Sequence, residues 1–338
     1  MERFETAVPL RGDDPGQWGA SMANMSEIMF PVLDAAGVRS LAEIGAYAGD
    51  LTAVLLEWAG PAGATVIAVD PTPQQALLDL AEERAELRLE QATSLDAIPR
   101  MDLPDAFIID GDHNYFTVSE ELKLIEERAG EAAMPLLLFH DVCWPHARRD
   151  AYYAPDRIPE EYRSTIASGV GIAPGEPGLT YGGLPYVHVQ EREGGERNGV
   201  LTAIEDFLEE RPGLEFALLP MFFGFGVCWR RDAPYAGALR SLTAPLDRNP
   251  VIARLEWNRV CTLAESHVAR THLAVLKEKH TEQQARCRRQ EDLLREVERS
   301  TRLRIAEKLA RFRRRDQPDM RARIAAELDS GASATDPA

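Results

Sequence analysis

Apolar positions along the chain change their spacing several times. From Gly19 to Gly37 they recur at helical intervals, with Met22, Met25, Ile28, Met29 and Val32 on one face. From Ser40 to Asp141 short apolar runs alternate with amphipathic ones. This predicts strands at Ser40 to Ala46, Thr65 to Asp70, Glu86 to Ala92, Ala106 to Asp110 and Pro135 to Asp141. Helices are expected between them over Asp50 to Ala59, Pro73 to Arg84 and Thr117 to Arg128. Short buried strands separated by helices are βαβ units, which build a parallel sheet with helices on both faces. From Cys143 to Gly199 the rhythm is lost in a stretch rich in Pro, Gly and Tyr, the mark of a lid or binding loop. A helix over Val200 to Glu210, with Asn198 as N-cap, follows. Two strands, Leu214 to Phe222 and Gly226 to Arg231, then meet at a tight Phe-Gly turn and should close the sheet as an antiparallel hairpin.

Beyond Pro250 the pattern changes again. Up to about Phe312 the chain is charged and almost free of glycine, with Leu273, Leu276, Leu294, Val297 and Ile305 on an a/d seam. His280, Gln283, Cys287 and Gln290 fill the middle of that seam. The expectation is a coiled coil with a soft centre that joins copies of the chain into a homo-oligomer. Pro318 should end it, and Ser330 to Ala338 reads as disordered. The expected domains are an N-terminal helical cap (1–38), an α/β domain (39–235) with an insertion at 143–199, and a helical tail (250–328).

Composition narrows the classes. The 338 residues, 45% hydrophobic, suffice for one sizeable core and an appendage. A net charge of −17 argues against nucleic acid as partner. It is unevenly spread, about −22 before Pro250 and about +5 after it. No apolar run reaches the ~18 residues that a membrane span needs. The start of the chain lacks the apolar core of a secretory signal. Cys143, Cys228, Cys261 and Cys287 form no CxxC pair and no zinc spacing, so a reduced, cytoplasmic setting is expected.

Two places carry candidate chemistry. The first strand ends Glu43-Ile44-Gly45-Ala46-Tyr47-Ala48-Gly49, an E-x-G-x-x-x-G turn in which glycine permits a tight backbone and leaves room for a ligand. Open α/β sheets bind nucleotides at such junctions. The second strand ends at Asp70, an acceptor suited to a ribose diol. The dinucleotide spacing G-x-G-x-x-G is absent, which disfavours a nicotinamide enzyme. The bland alternative is a glycine turn and an exposed acid. The other place is the end of the fourth and fifth strands, IIDGDHNY and LLLFHDV, where acids and imidazoles crowd together. Its bland alternative is a polar cleft rim.

EIGAYAG followed by VIAVD resembles the cofactor motifs of class I S-adenosylmethionine-dependent methyltransferases, over roughly Leu41 to Arg231. Within that superfamily, IIDGDHNY and LLLFHDV resemble the metal-dependent small-molecule O-methyltransferases of the catechol, caffeoyl-CoA and macrolide-sugar type. The resemblance implies a Rossmann-like doubly wound sheet. It implies S-adenosylmethionine held by Glu43, Gly45, Ala46, Tyr47, Gly49, Asp70, Thr93, Ser94 and Asp110. It also implies a divalent metal on Asp110, Asp141 and His140, and His113 as general base. Methyl transfer from a sulfonium is an in-line displacement, and a metal and an imidazole suit an acceptor hydroxyl that must lose its proton near neutral pH. Oxygen ligands favour Mg²⁺. Where related enzymes carry an acid or amide, this chain has His140, which suits Mn, Fe, Ni or Zn better. Alternatively His140 points to the other side of its strand.

Asp112 is a ligand, an orienter of His113 or a turn residue. Trp144, His146, Arg149 and Tyr152, with Arg148 and Tyr153, open the insertion. They could stack on a small-molecule acceptor, such as a natural product or sugar, or pack the insertion shut. Thr93 and Ser94 are cofactor contacts or turn formers. His188, Arg197 and Asn198 are weaker candidates of the same kind. His267, His272 and His280 read as solvated or interfacial. The leading expectation is an O-methyltransferase; the competing ones are a metal-independent N- or carboxyl-methyltransferase and a ligand-binding scaffold assembled by the tail.

Overall fold

The computed structural model of the chain describes residues 19–130, 133–311 and 323–326. The expected break at Pro318 and the expected disorder from Ser330 lie outside those residues, as does most of the expected N-terminal cap's first half. Two compact units divide the chain, Met1–Val268 and Ala269–Ala338.

In the first unit a 3-10 turn, Met22–Met25, leads into α1 (Ser26–Ala36), which Gly37 ends in the left-handed conformation. Then β1 (Ser40–Ile44), α2 (Asp50–Ala62), β2 (Thr65–Val69), α3 (Gln75–Glu83), β3 (Leu87–Glu90), the single turn α4 (Ser94–Ala97) and β4 (Ala106–Ile109) follow. Next come α5 (Tyr115–Ala129), β5 (Leu136–Phe139), the hairpin β6 (Ile166–Ile172) and β7 (Leu184–Gln190), and α6 (Val200–Glu209). The strands β8 (Leu214–Leu219) and β9 (Phe225–Arg230) precede α7 (Ala236–Thr243) and α8 (Pro250–Arg299). Another helix, α9 (Thr301–Arg311), lies in the second unit.

Seven strands form one sheet in the order β3-β2-β1-β4-β5-β9-β8. The first five are parallel, and β9 runs antiparallel to both β5 and β8. Strand side chains alternate between faces, and each face has its own core. Leu41, Val66, Ile108, Leu138 and Val227 pack with α1 and α2 on one side. Ile44, Val69, Phe107, Phe139 and Cys228 pack with α5 and α6 on the other. Truncating a fully buried member such as Leu55 or Phe107 to Ala should cost about 2–5 kcal/mol.

Three sequence expectations change. The insertion 143–199 is not free of regular structure: β6 and β7 pair across it and cover a small core of Ala151, Ile172 and Val189. Gly169 and Gly171 interrupt the alternation of β6, which hid the strand. Asn198 does not cap α6. The capping position is Gly199, whose N–H goes to Asp150 Oδ1 at 2.7 Å, while the Asn198 amide donates to Asp150 and Ser164. Finally, α7 and the first turns of α8 belong with the sheet: Leu239, Glu256, Val260 and Ala264 are buried, and the first unit runs to Val268.

In the second unit α8 exposes Leu273, Leu276 and Val297 of the expected seam, with Leu293, while Leu294 is half-buried; α9 exposes Ile305. No helix among the described residues is long and apolar enough to cross a membrane. The four cysteines are free thiols.

Candidate active site

Parallel register assembles the site. Ile44 lies opposite Val69 and Ile109, and Ile109 opposite Phe139. The next residue on each strand is therefore Gly45, Asp70, Asp110 and His140, all at the carboxyl edge of the sheet, where open α/β sheets bind ligands. The ladder continues into these residues: Gly45 N–H donates to Val69 O, Asp110 N–H to Ile44 O and His140 N–H to Ile109 O.

On the β1–β2 side the loop is built by its own hydrogen bonds. Gly45 has φ +91°, and a Cβ there would run into the Asp110 carbonyl. The space that this glycine frees is thus filled by the neighbouring strand's backbone, a reason that the sequence motif did not disclose. Tyr47 (φ 43°) and Gly49 (φ 84°) are also left-handed, which lets the chain turn into α2. Asp70 holds this loop, with Oδ2 accepting Tyr47 N–H at 2.8 Å and Oδ1 accepting Thr72 N–H at 2.7 Å. An ionised carboxylate has about four acceptor sites, so capacity remains on Asp70 for a ribose. Glu43 is buried and accepts the Thr52 hydroxyl at 2.6 Å. Burial pushes its carboxyl up to about 8, against the Thr52 hydrogen bond and with help from nearby Asp110 and Asp70. Thr93 caps α4 and Ser94 begins it, both in the turn after β3.

On the β4–β5 side four titratable groups converge. His140 Nδ1 lies 3.0 Å from Asp110 Oδ1 and 3.3 Å from Asp141 Oδ2. His113 Nε2 lies 3.0 Å from Asp141 Oδ2 and 3.8 Å from Asp110 Oδ1. Consecutive residues on a strand would face opposite sides, but Asp141 is left-handed (φ 58°), and this turn brings its carboxylate to the same side as His140. Burial disfavours every charge here, yet each acid finds an imidazole. Against that burial, His113 and His140 draw Asp141 well below the usual carboxylate range and Asp110 also downward. Asp141 and Asp110 hold both imidazoles well above the ordinary histidine value, again against burial.

The tautomer of His140 is legible. Its Nε2 lies 2.8 Å from the Phe222 carbonyl, which can only accept, so Nε2 carries a proton. Nδ1 then either carries a second proton toward Asp110 or presents a lone pair between two carboxylates. Asp110, His140 and Asp141 each offer one ligand atom within 4.8 Å of the others. A nitrogen lone pair among carboxylate oxygens, with the far ring N–H on a backbone carbonyl, is the arrangement that metal-binding histidines adopt. The donor set fits a divalent ion. Its mixture of nitrogen and oxygen moves preference from Mg²⁺ toward Mn²⁺, Fe²⁺ or Zn²⁺.

The carbonyl of Phe222 comes from a strained turn. Phe222 (φ 49°) and Phe223 (φ 68°) are both left-handed, at about 1–2 kcal/mol each. The Glu256 carboxylate on α8 accepts both of their N–H groups, at 3.0 and 2.8 Å. Hydrogen bonds to a charged group contribute roughly 1.5–3 kcal/mol each, enough to hold the turn. Sequence reasoning passed over Glu256. Its signal was an acid and Arg259 set i,i+3 on the helix face that carries Val260 and Ala264.

The insertion's candidates divide. Tyr153 is exposed, and its ring stands edge-on to His113 with centroids 5.6 Å apart. His146 is buried beneath His113, centroids 4.6 Å apart. Burial and the His113 charge push His146 down to about 3, so it is neutral, and its Nε2 accepts the Tyr186 hydroxyl at 3.0 Å. Arg149 is wholly buried and donates to the Pro177 carbonyl at 2.7 Å. Tyr152 is buried and donates to Asp150 at 2.9 Å. Trp144 is half-buried against the small core under the hairpin. As placed, Arg149 and Tyr152 hold the insertion's own frame and do not line an acceptor cleft. Asp150 is the hub of that frame: it also accepts Tyr115 N–H at the start of α5, tying the insertion to the helix that follows His113. Asp112 accepts the Thr117 hydroxyl at 3.2 Å and so serves that same helix start. His188 meets Ser168 across the hairpin, and Arg197 lies over the Tyr162 ring, both away from the four-group cluster.

Residues 42–142 match the family model of a methyltransferase domain. These residues are thus a methyltransferase domain, and its β1 and β2 motifs resemble those of the S-adenosylmethionine-dependent class. No curated protein matches the chain. Among solved structures it is similar to a methyltransferase from Podospora anserina bound to SAH, at 15% identity over 63% of this chain and 81% of that one, TM-score 0.41. It is also similar to a putative caffeoyl-CoA O-methyltransferase from Staphylococcus aureus (12%; 61% and 82%; TM-score 0.38). A third is a 1,6-didemethyltoxoflavin N1-methyltransferase from Burkholderia thailandensis (15%; 63% and 80%; TM-score 0.34).

Proposed function

We propose that this methyltransferase acts on a hydroxyl of a small molecule, such as a natural product or sugar, with a divalent metal on Asp110, His140 and Asp141 and with His113 as general base. The observation that supports it most is the His140 ring, proton-bearing at Nε2 and facing two carboxylates at Nδ1. The metal, when bound, lowers the pKa of an acceptor hydroxyl and orients it. The chain's own residues do the rest. Asp70 and the turn from Gly45 to Gly49 fix the donor. With a cation on Asp110 and Asp141 in place of its own proton, His113 would be neutral; its Nε2 would then take the hydroxyl proton, and Asp141 Oδ2, 3.0 Å away, would stabilise the imidazolium formed. The new O–CH₃ bond forms as the S–CH₃ bond breaks, with S-adenosylhomocysteine as leaving group. Tyr153, exposed beside His113, would wall the place where an acceptor ring lies, and His146 backs His113 from beneath.

Turnover after exhaustive EDTA dialysis tests this reading: it should fall at least tenfold and return with Mn²⁺, Fe²⁺ or Mg²⁺. Undiminished turnover in EDTA would favour a metal-independent transfer, for example to an amine. One observation supports that rival: Asp110 and Asp141 hold both imidazoles well above the ordinary histidine value, so that, protonated, His113 and His140 would balance the two carboxylates without a metal. For the tail, the exposed apolar positions from Leu273 to Ile305 support pairing with a second copy, and a monomer mass in light scattering of the full chain would remove that part.

A further inference from the structure

Glu256 sits on a helix that contributes nothing to the donor site, yet it is buried and fully engaged. Arg259 grips it with two hydrogen bonds of 2.7 Å and lies over the Phe223 ring at 4.5 Å. The carboxylate in turn grips the N–H groups of Phe222 and Phe223. Both peptide units beyond those amides point their carbonyls at the catalytic edge. Phe222 O accepts His140 Nε2–H at 2.8 Å, and Phe223 O accepts Cys143 N–H at 2.7 Å. The turn therefore clamps the chain on both sides of Asp141. Gly224 completes it at φ 101°, pressed so closely on the Cys143 backbone that no Cβ would fit.

We propose that Glu256 is a positioning residue of the active site, which acts through the Phe222 carbonyl to hold the His140 proton on Nε2 and so direct Nδ1 at Asp110 and Asp141. Without the carboxylate, two adjacent left-handed phenylalanines relax toward ordinary backbone conformations. The Phe222 carbonyl then turns away, the ring is free to exchange tautomers, and Nδ1 is no longer committed to the cluster. Because the partner of a ligating histidine's other nitrogen commonly changes metal affinity 10- to 100-fold, the effect should be read there first. This inference rests on the reading of His140 as a metal ligand.

The test uses the full chain and Co²⁺ as probe. Calorimetry and the visible ligand-field spectrum should show 10- to 100-fold weaker Co²⁺ binding and an altered spectrum in Glu256→Ala, with S-adenosylhomocysteine affinity within twofold of wild type. Glu256→Gln keeps the volume and one acceptor; it should fold where the alanine variant does not and restore most of the Co²⁺ affinity relative to alanine. Equal Co²⁺ affinity and spectra in wild type and both variants would overturn the proposal. If wild type takes up no Co²⁺, the metal reading fails instead. Long-range ¹H–¹⁵N spectra of the histidines then decide the positioning role. A single Nε2–H tautomer of His140 in wild type that becomes mixed in the Glu256 variants supports it, and an unchanged tautomer refutes it.

Discussion

The two halves of the catalytic edge treat their acids in opposite ways. On the β1–β2 side, Glu43 is buried beside a hydroxyl and is driven up to about 8. On the β4–β5 side, Asp141 is as deeply buried but meets two imidazoles and is driven down. Depth is the same; company differs. The first half is a scaffold of backbone hydrogen bonds that leaves acceptor capacity on Asp70. The second is a set of charges held a few ångströms apart, able to bind a cation or move a proton. Position on the sheet thus fixes where chemistry happens, and the partner of each acid fixes which chemistry it is.

The largest effect should come from the charged half. In the proposed mechanism His113→Ala removes the general base, and kcat should fall by ~10²–10⁴. The donor half is separate, so S-adenosylmethionine affinity should stay within about threefold by calorimetry. A loss of donor affinity equal to the loss of turnover would erase the division between the halves.

A smaller effect tests the scaffold. Asp70→Ala removes the acceptor for Tyr47 N–H and Thr72 N–H and for a ribose diol. Donor binding should weaken by roughly 1.5–3 kcal/mol, read as about 10- to 150-fold in Kd. Because the mutation leaves Asp110, His140 and Asp141 in place, divalent-ion binding should not move. Unaltered donor affinity would mean that Asp70 serves only its loop.

Much of this was open to reading from residues alone. The order of strands and helices from Ser40 to Asp141 was plain, because buried parallel strands are short apolar runs set between amphipathic helices. The convergence of Asp110, His113, His140 and Asp141 was also readable, since adjacent parallel strands bring their ends together. The direction of His140 was not, because it depends on a left-handed Asp141, which no residue type announces. The strands β6 and β7 were hidden by glycines within them. Arg149 and Tyr152 have the side chains of ligand contacts, and only their burial shows that they hold the insertion instead. Glu256 was invisible because its partners are main-chain amides more than thirty residues away, and amides leave no trace in a sequence.

The smallest effect tests the rule that company outweighs depth, at a carboxyl outside both halves. Glu121 on α5 is fully buried, and neither carboxylate oxygen has a hydrogen-bond partner within 3.5 Å. Burial drives it up to about 8, against the pull of the nearby Ser94 side chain. In the unfolded chain it ionises near 4.5. Below pH 4.5 both states hold the proton and stability is unaffected. Between 4.5 and 8 the unfolded state releases its proton while the folded state keeps it, so stability falls as pH rises through that window. Glutamine has nearly the same shape and no proton to lose. Glu121→Gln should therefore lie closest to wild type at pH 4.5 and gain on it steadily toward pH 8, which urea titrations at the two pH values would read. A variant that gains nothing on wild type toward pH 8 would mean that the buried acid has a partner that keeps it charged, and that Glu121 belongs with Asp141 rather than with Glu43.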